Sequence, residues 1–351
     1  MNVDQQLNLK LIMSSQKGDI ESVKSLIKEG ADIHANDDMA LRWSVSSGHA
    51  EVVMTLLEAG ADIHALNDWA LCVSSGKGFV EITKILLDAG ANVNAHSNEY
   101  FSSLINASEK GHVEIVRMLL DAGADVHDFD DDALRGASEF NNVEVVKVLL
   151  EAGANFREED CRDLKLAAEN GHAEVVKILI EAGADVHAED DGALRIASDN
   201  GHTEVVKVLL DAWANIYAKN NDALRRASEG GHVEVVKMLL EKGAYVNACD
   251  NVALRFAAEE GHAEVVKVLL EAGADIHACE DEALRWSVAN GHTEVVKILL
   301  NAGANVHAKN DTVFESVLRY GHIEIANLLQ EAGLCAGDQE QVSISRTLKL
   351  R

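Results

Sequence analysis

The stretch that decides the fold runs Asn221-Asp222-Ala223-Leu224-Arg225-Arg226-Ala227-Ser228-Glu229-Gly230-Gly231-His232-Val233-Glu234-Val235-Val236-Lys237-Met238-Leu239-Leu240 and closes with Glu241-Lys242-Gly243-Ala244-Tyr245-Val246-Asn247-Ala248. Val235, Val236, Leu239 and Leu240 lie at i, i+1, i+4 and i+5, one face of a helix. Glu234 and Lys237 sit three apart on another face, where opposite charges pair weakly. Gly243 follows the last apolar residue and offers the left-handed conformation that stops a helix. Upstream, Leu224, Ala227 and Ser228 suit a shorter helix. Asn221 suits its N-cap, because a side-chain oxygen there accepts a bond from a free backbone N–H. The stretch therefore reads as helix, tight turn, longer helix, loop.

The same unit recurs along the 351 residues. Its turn glycine returns as Gly18, Gly48, Gly78, Gly111, Gly171, Gly201, Gly231, Gly261, Gly291 and Gly321, with Asn141 filling one gap, so the unit is written eleven times. The interval is 30 residues except between Gly78 and Gly111, where it is 33. Asp38, Asp68, Asp131, Asp191, Asn251, Asp281 and Asp311 share the N-cap column of Asn221. One helix pair cannot bury its apolar face alone, but stacked pairs build a core one unit thick. Small residues at Ala40, Ala70, Ala133, Ala193, Ala223, Ala253 and Ala283 let neighbouring pairs approach closely. Lys10 and Val313 break that column in the first and last units, and Asn327 replaces a usual Lys. These departures predict modified end repeats, one array over residues 1–335, and a short mobile tail at 336–351.

His202-Thr203-Glu204-Val205-Val206-Lys207-Val208-Leu209-Leu210 and Gly183-Ala184-Asp185-Val186-His187-Ala188 closely resemble the second helix and following loop of ankyrin repeats. The resemblance covers about residues 7–334. The Thr-Pro-Leu-His start of the family's first helix is missing, and Ala-Leu-Arg, as at Ala193-Leu194-Arg195, stands in its place. The loop before it is shorter, giving a 30-residue unit where the family's has about 33. The proline-free combination resembles the ankyrin arrays of large DNA viruses of protists. The resemblance implies an all-α, ankyrin-like helical solenoid of eleven helix-turn-helix repeats that binds a protein through loop tips and a concave first-helix face. The shortened loop predicts little or no strand in place of the family's β-hairpin fingers.

Composition narrows the function. The net charge is −28, from 59 acidic and 31 basic residues, which repels phosphate backbones and anionic membrane surfaces. Nucleic acid and membrane are therefore not expected as partners. No stretch approaches the roughly 18 apolar residues of a membrane span, and no leader-like apolar run opens the sequence. Cys72, Cys161, Cys249, Cys279 and Cys335 are odd in number and follow the repeat rather than a disulfide framework, which suits a cytoplasmic setting, that of a host cell if the chain is viral. Proline is absent altogether, which removes the rigid residue that commonly opens a helix.

Constellations that resemble chemistry dissolve into columns. His49, His112, His172, His202, His232, His262, His292 and His322 follow the turn residue; His34, His64, His127, His187, His277 and His307 share a loop position. A full repeat separates members of a column, too far to share one ion, so turn hydrogen bonding rather than metal binding is expected. Arg42, Arg135, Lys165, Arg195, Arg225, Arg255 and Arg285 form a basic ladder. Five members, from Arg135 to Arg255, have an acid four residues later, so local ion pairs are expected. No catalytic triad, phosphate loop or cofactor motif occurs, so neither enzyme nor cofactor is predicted.

Structure demands sameness of a repeat, so departures carry the function. The column before the small residues holds Met39 and Trp69 early in the chain, and the longer interval adds Tyr100 and Phe101 beside them. Trp and Tyr are common interface anchors. These four either form a binding edge or pack locally to close the irregular joint. A second variable column, after the Arg ladder, contains Trp43, Phe256 and Trp286; Phe256 and Trp286 are neighbours toward the inner face. Trp213 stands where every other unit has Gly, which predicts a strained positive φ or a rebuilt turn. The reading is a non-catalytic protein-binding scaffold, with a monomer as the default state. Its rivals are a structural or decoy repeat protein without a specific partner, and an enzyme.

Overall fold

The computed structural model describes residues 3–96, 102–155, 161–308, 313, 316–317 and 319–334. Tyr100, Phe101, Asp311 and the tail at 336–351 lie outside the described residues. Among the described residues there are 21 helices and no strand, as the shortened loops predict.

The chain divides into two compact units, residues 1–167 with 181–184, and residues 168–180 with 185–351. In the first, α1 (Val3–Lys17), α3 (Ala35–Ser47), α5 (Ala65–Lys77), α7 (Ser103–Glu109) and α9 (Asp132–Glu139) pack successively in one row. Behind them α2 (Ile20–Lys28), α4 (Ala50–Glu58), α6 (Val80–Asp88), α8 (Val113–Asp121) and α10 (Val143–Glu151) make a second row. Next in sequence come α11 (Arg162–Glu169) and α12 (Ala173–Glu181). The second unit repeats the plan, with α13 (Ala188–Asp199), α15 (Ala218–Glu229), α17 (Ala248–Glu259) and α19 (Ala278–Asn290) in front. Its rear row is α14 (Thr203–Asp211), α16 (Val233–Glu241), α18 (Ala263–Glu271), α20 (Thr293–Asn301) and α21 (Ile323–Leu334).

The core follows the periodicity. Val235, Val236 and Leu239 of α16 are buried, as are their counterparts Val265, Val266 and Leu269 of α18. The seven alanines of the small-residue column are each no more than 3% exposed, so backbones approach where a larger side chain would hold them apart. Lys10 is exposed in that column, whereas Val313 is fully buried.

Seven first-row helices open through an unusual turn, which lies just inside the bounds given for six of them and just before α9. Residues 36–38, 66–68, 129–131, 189–191, 219–221, 249–251 and 279–281 each hold three consecutive positive φ angles, for example 56°, 56° and 53° at Asn36, Asp37 and Asp38. A left-handed residue other than glycine costs about 1–2 kcal/mol, least for Asn and Asp. The second and third positions are Asn or Asp throughout, except for Glu280.

This turn corrects the N-cap reading of the Asp/Asn column. The third residue does not cap its own helix; its side chain accepts the backbone N–H found 24 residues later, in the next loop. Asp38 takes that of Asp62 at 2.7 Å, Asp191 that of Asn215 at 2.6 Å, and Asn251 that of Asp275 at 2.8 Å. The turn also corrects the ladder pairing. Arg42 donates from Nε and Nη2 to the carbonyls of Asp37 and Asn36, both at 2.9 Å. Arg195 and Arg285 do the same in their own turns. Arg195 and Arg255 also pair with Asp222 and Glu282 of the following repeat. The expected pair four residues on is made by Arg225 with Glu229 at 2.6 Å. Proline, fixed near φ −65°, fits none of the three left-handed positions.

Both histidine columns join repeats or brace turns. His202 Nε2 donates to the Glu169 carbonyl at 2.8 Å, and His232 to that of Asp199 at 2.7 Å, each 33 residues back. A carbonyl only accepts, so the proton sits on Nε2. The imidazole rests on the preceding turn glycine: a Cβ on Gly18, at φ +75°, would stand 2.6 Å from His49 Nδ1. In the loop column, His34 and His187 Nδ1 meet the buried Asp38 and Asp191 carboxylates at 3.2 and 3.1 Å. Asn142 is one of three residues, with Asp19 and Phe79, that stand in place of the turn histidine, and it donates from Nδ2 to the Ser108 carbonyl at 2.7 Å.

Candidate functional site

The sequence-selected residues fall into separate places. Met39 and Trp69 occupy the same position on the adjacent helices α3 and α5, and both are partly buried. They line one groove of about 220 Å³ with Arg42, Trp43 and Ser46. Met39, Arg42, Trp43 and Ser46 fall at i, i+3, i+4 and i+7, so α3 presents them on one face.

Arg42 organises this groove. Its two bonds to the left-handed turn fix the guanidinium, which then lies 5.7 Å from the centre of the Trp69 ring. An Arg placed over an indole is attracted by the ring's negative face, by about 0.5–1 kcal/mol at an exposed site. Trp69 is thus steered by a side chain that is itself held by backbone. Trp43 remains 41% exposed. The groove is therefore a cleft with an aromatic wall and one fixed cation. Sequence reading placed Trp43 in a variable column but did not join it to Met39 and Trp69; the spacing of four along α3 is the signal that joins them.

Phe256 and Trp286 lie in the second unit, at one position on the successive helices α17 and α19. Arg225 sits 5.7 Å from the Phe256 ring centre, and Phe256 is partly buried. Trp286 is 41% exposed. Around Arg225 the charges are dense. Partial burial would raise the Asp222 carboxyl, but hydrogen bonds from Arg226 and Arg225 together hold it below the usual carboxylate range. Glu259 behaves oppositely: burial first, then the charges of Glu260, Glu229 and Glu282, push it up against the pull of Arg255.

Among the described residues, no group of three or more His, Cys, Asp or Glu side chains converges as metal ligands do. None of their helices is long and apolar enough to cross a membrane. Comparison with known families gives one result: a model described as ankyrin repeats in three copies matches residues 11–97, 43–130, 70–160, 104–190, 164–250 and 254–339. No curated protein matches the chain.

Proposed function

Because the chain belongs to the ankyrin repeat family, whose repeats generally mediate protein–protein interaction, we propose that it is a non-catalytic scaffold holding a protein partner against its first-row helices and loop tips. The observation that carries this reading is the Met39, Arg42, Trp43 and Trp69 groove, where a half-open indole stands beside a second indole fixed by Arg42. Large aromatics at the centre of an interface supply much of its affinity. A stack whose side chains are already held by bonds between repeats loses little freedom on association. Tyr100 and Phe101 extend this proposed edge in sequence, and Phe256 with Trp286 form a second candidate stretch. The setting that goes with the reading is the cytoplasm, of a host cell if the protein is viral, where the exposed thiols of Cys249 and Cys279 stay reduced.

The test compares the native chain with its Trp43→Ala/Trp69→Ala variant as baits in a lysate of the source cell, with quantitative mass spectrometry. A partner held by the native chain and lost by the variant, at unchanged melting temperature, supports the groove. Equal capture by both baits excludes it and leaves the Phe256 and Trp286 stretch as the surface to test.

A further inference from the structure

Three aromatic residues depart from the repeat in two adjacent loops of the second unit. Trp213 replaces the glycine that ends a rear helix, Tyr217 replaces the loop histidine, and Tyr245 replaces the aspartate or asparagine two residues after that glycine. All three face solvent, at 85%, 56% and 59% exposure. Tyr217 reaches over the next loop: its hydroxyl lies 3.6 Å from where a Cβ on Gly243 would stand, and Gly243 is two residues from Tyr245. Beside Trp213 opens a cavity of about 270 Å³, lined also by Leu210, Asp211, Ala214, Ile216 and Lys242.

Trp213 keeps the backbone of the residue it replaces. Its φ is +69°, and its N–H bonds the Leu210 carbonyl at 3.1 Å, as Gly243 bonds that of Leu240 at 3.0 Å. A bulky residue held at positive φ is strained, and burial does not offset that strain at 85% exposure. Such strain concentrates at functional sites.

The charge around the cluster selects its occupant. Asp211, Glu241 and Glu271 end α14, α16 and α18, whose last turns carry no basic residue. They add to the negative pole of each helix. The cations nearby in sequence and cavity are each met by an acid, Lys242 by Asp211 at 3.1 Å and Lys219 by Asp190 at 2.5 Å. Exposed aromatic faces on an electronegative strip attract cations. We infer that Trp213, Tyr217 and Tyr245 form a second docking surface, for a cationic segment of a protein partner. Its Arg or Lys charges lie on the aromatic faces while an adjoining apolar side chain enters the cavity beside Trp213. This surface is built from segments that follow the rear helices of the second unit, and the inference does not rest on the Met39 and Trp69 groove.

The test uses the full chain and three short labelled peptides, alternating Leu with Arg, with Gln or with Glu, read by fluorescence anisotropy at physiological ionic strength. The decisive variant is Trp213→Gly/Tyr217→His/Tyr245→Asp, which restores residues the other repeats use at these places. The Arg–Leu peptide is expected to bind the native chain and to lose about thirtyfold or more in affinity on the triple variant, the change typical of losing an interface anchor. The added aspartate would strengthen unspecific attraction, so a loss points to the rings. Binding within a few-fold on the triple variant overturns the proposal. So does equal binding of the Gln–Leu peptide, which would mean an apolar partner, or a loss confined to Trp43→Ala/Trp69→Ala. Should the triple variant melt early, Trp213→Gly alone carries the same comparison.

Discussion

Asp191 Oδ1 accepts the backbone N–H of Asn215, one loop further on, at 2.6 Å. The same carboxylate receives His187 Nδ1 at 3.1 Å, and Asp191 is only 3% exposed. One side chain thus closes its own loop and ties down the next. Asp191→Ala is expected to cost about 1–3 kcal/mol, because the part-buried N–H of Asn215 and the His187 ring lose their acceptor. Asp191→Asn keeps an oxygen in place, as Asn221 and Asn251 do naturally, and should cost clearly less. Chemical denaturation of both variants checks this. Equal losses would mean that the charge facing His187, not the acceptor, holds the loop.

Trp213→Gly is expected to raise the melting temperature. Nothing lies within 4 Å of a Cβ at the equivalent Gly30, Gly60, Gly90 or Gly273, so the column asks for glycine through φ alone. Removing a side chain from that conformation should return about 1 kcal/mol. A lower melting temperature would show that the indole packs usefully against its loop.

Glu259→Gln is expected to stabilise the protein at neutral pH. Its carboxyl is raised by burial and by neighbouring acids. A raised carboxyl binds its proton more tightly in the folded state. The stability it lends is complete below the unfolded value and lost as pH rises through the folded one. The advantage of the amide should therefore shrink as pH falls, and vanish below about pH 4, where the native carboxyl is protonated in both states. Thermal melts across that range decide it; an advantage independent of pH would assign the effect to packing.

Trp43→Ala/Trp69→Ala separates interface from core. An interface role predicts a loss of about 2 kcal/mol or more in partner binding. A core role predicts about 3–5 kcal/mol of lost stability for each large aromatic. Trp43 is the more exposed of the two, so Trp43→Ala alone should barely move the melting temperature.

The helices, their pairing and their buried faces were legible because glycine, valine and leucine repeat at fixed spacing. The left-handed turns were not. Asp or Asn just before a helix reads equally as an N-cap or as a left-handed residue, and local preference does not separate them. Two such residues in succession, in a chain without proline, were the available signal. The partners of the Arg ladder were misjudged in part for a related reason: Arg195, expected to pair with Asp199, reaches carbonyls that the left-handed turn presents to it. The groove was half legible. Met39 and Trp69 stood out by column, and the spacing of four ties Trp43 to Met39, but Trp69 closes the groove with them only once α3 and α5 lie side by side.

The bond that spans 24 residues has one more consequence. Donor and acceptor are set by counting along the chain, and nothing in the bond depends on which unit carries it. A duplicated 30-residue segment brings its own acceptor for the following loop and its own donor for the preceding one. The array can gain or shed whole units, as a chain gains or sheds links, without inventing a new joint. An insertion of another length meets a different situation. Across the 33-residue interval, Asn94 Oδ1 takes up the N–H of Asp125, 31 residues on, at 2.8 Å; Asn247 makes the same bond to Asp275, 28 residues on, at 3.0 Å in a regular unit, where the acceptor of the usual column stands beside it.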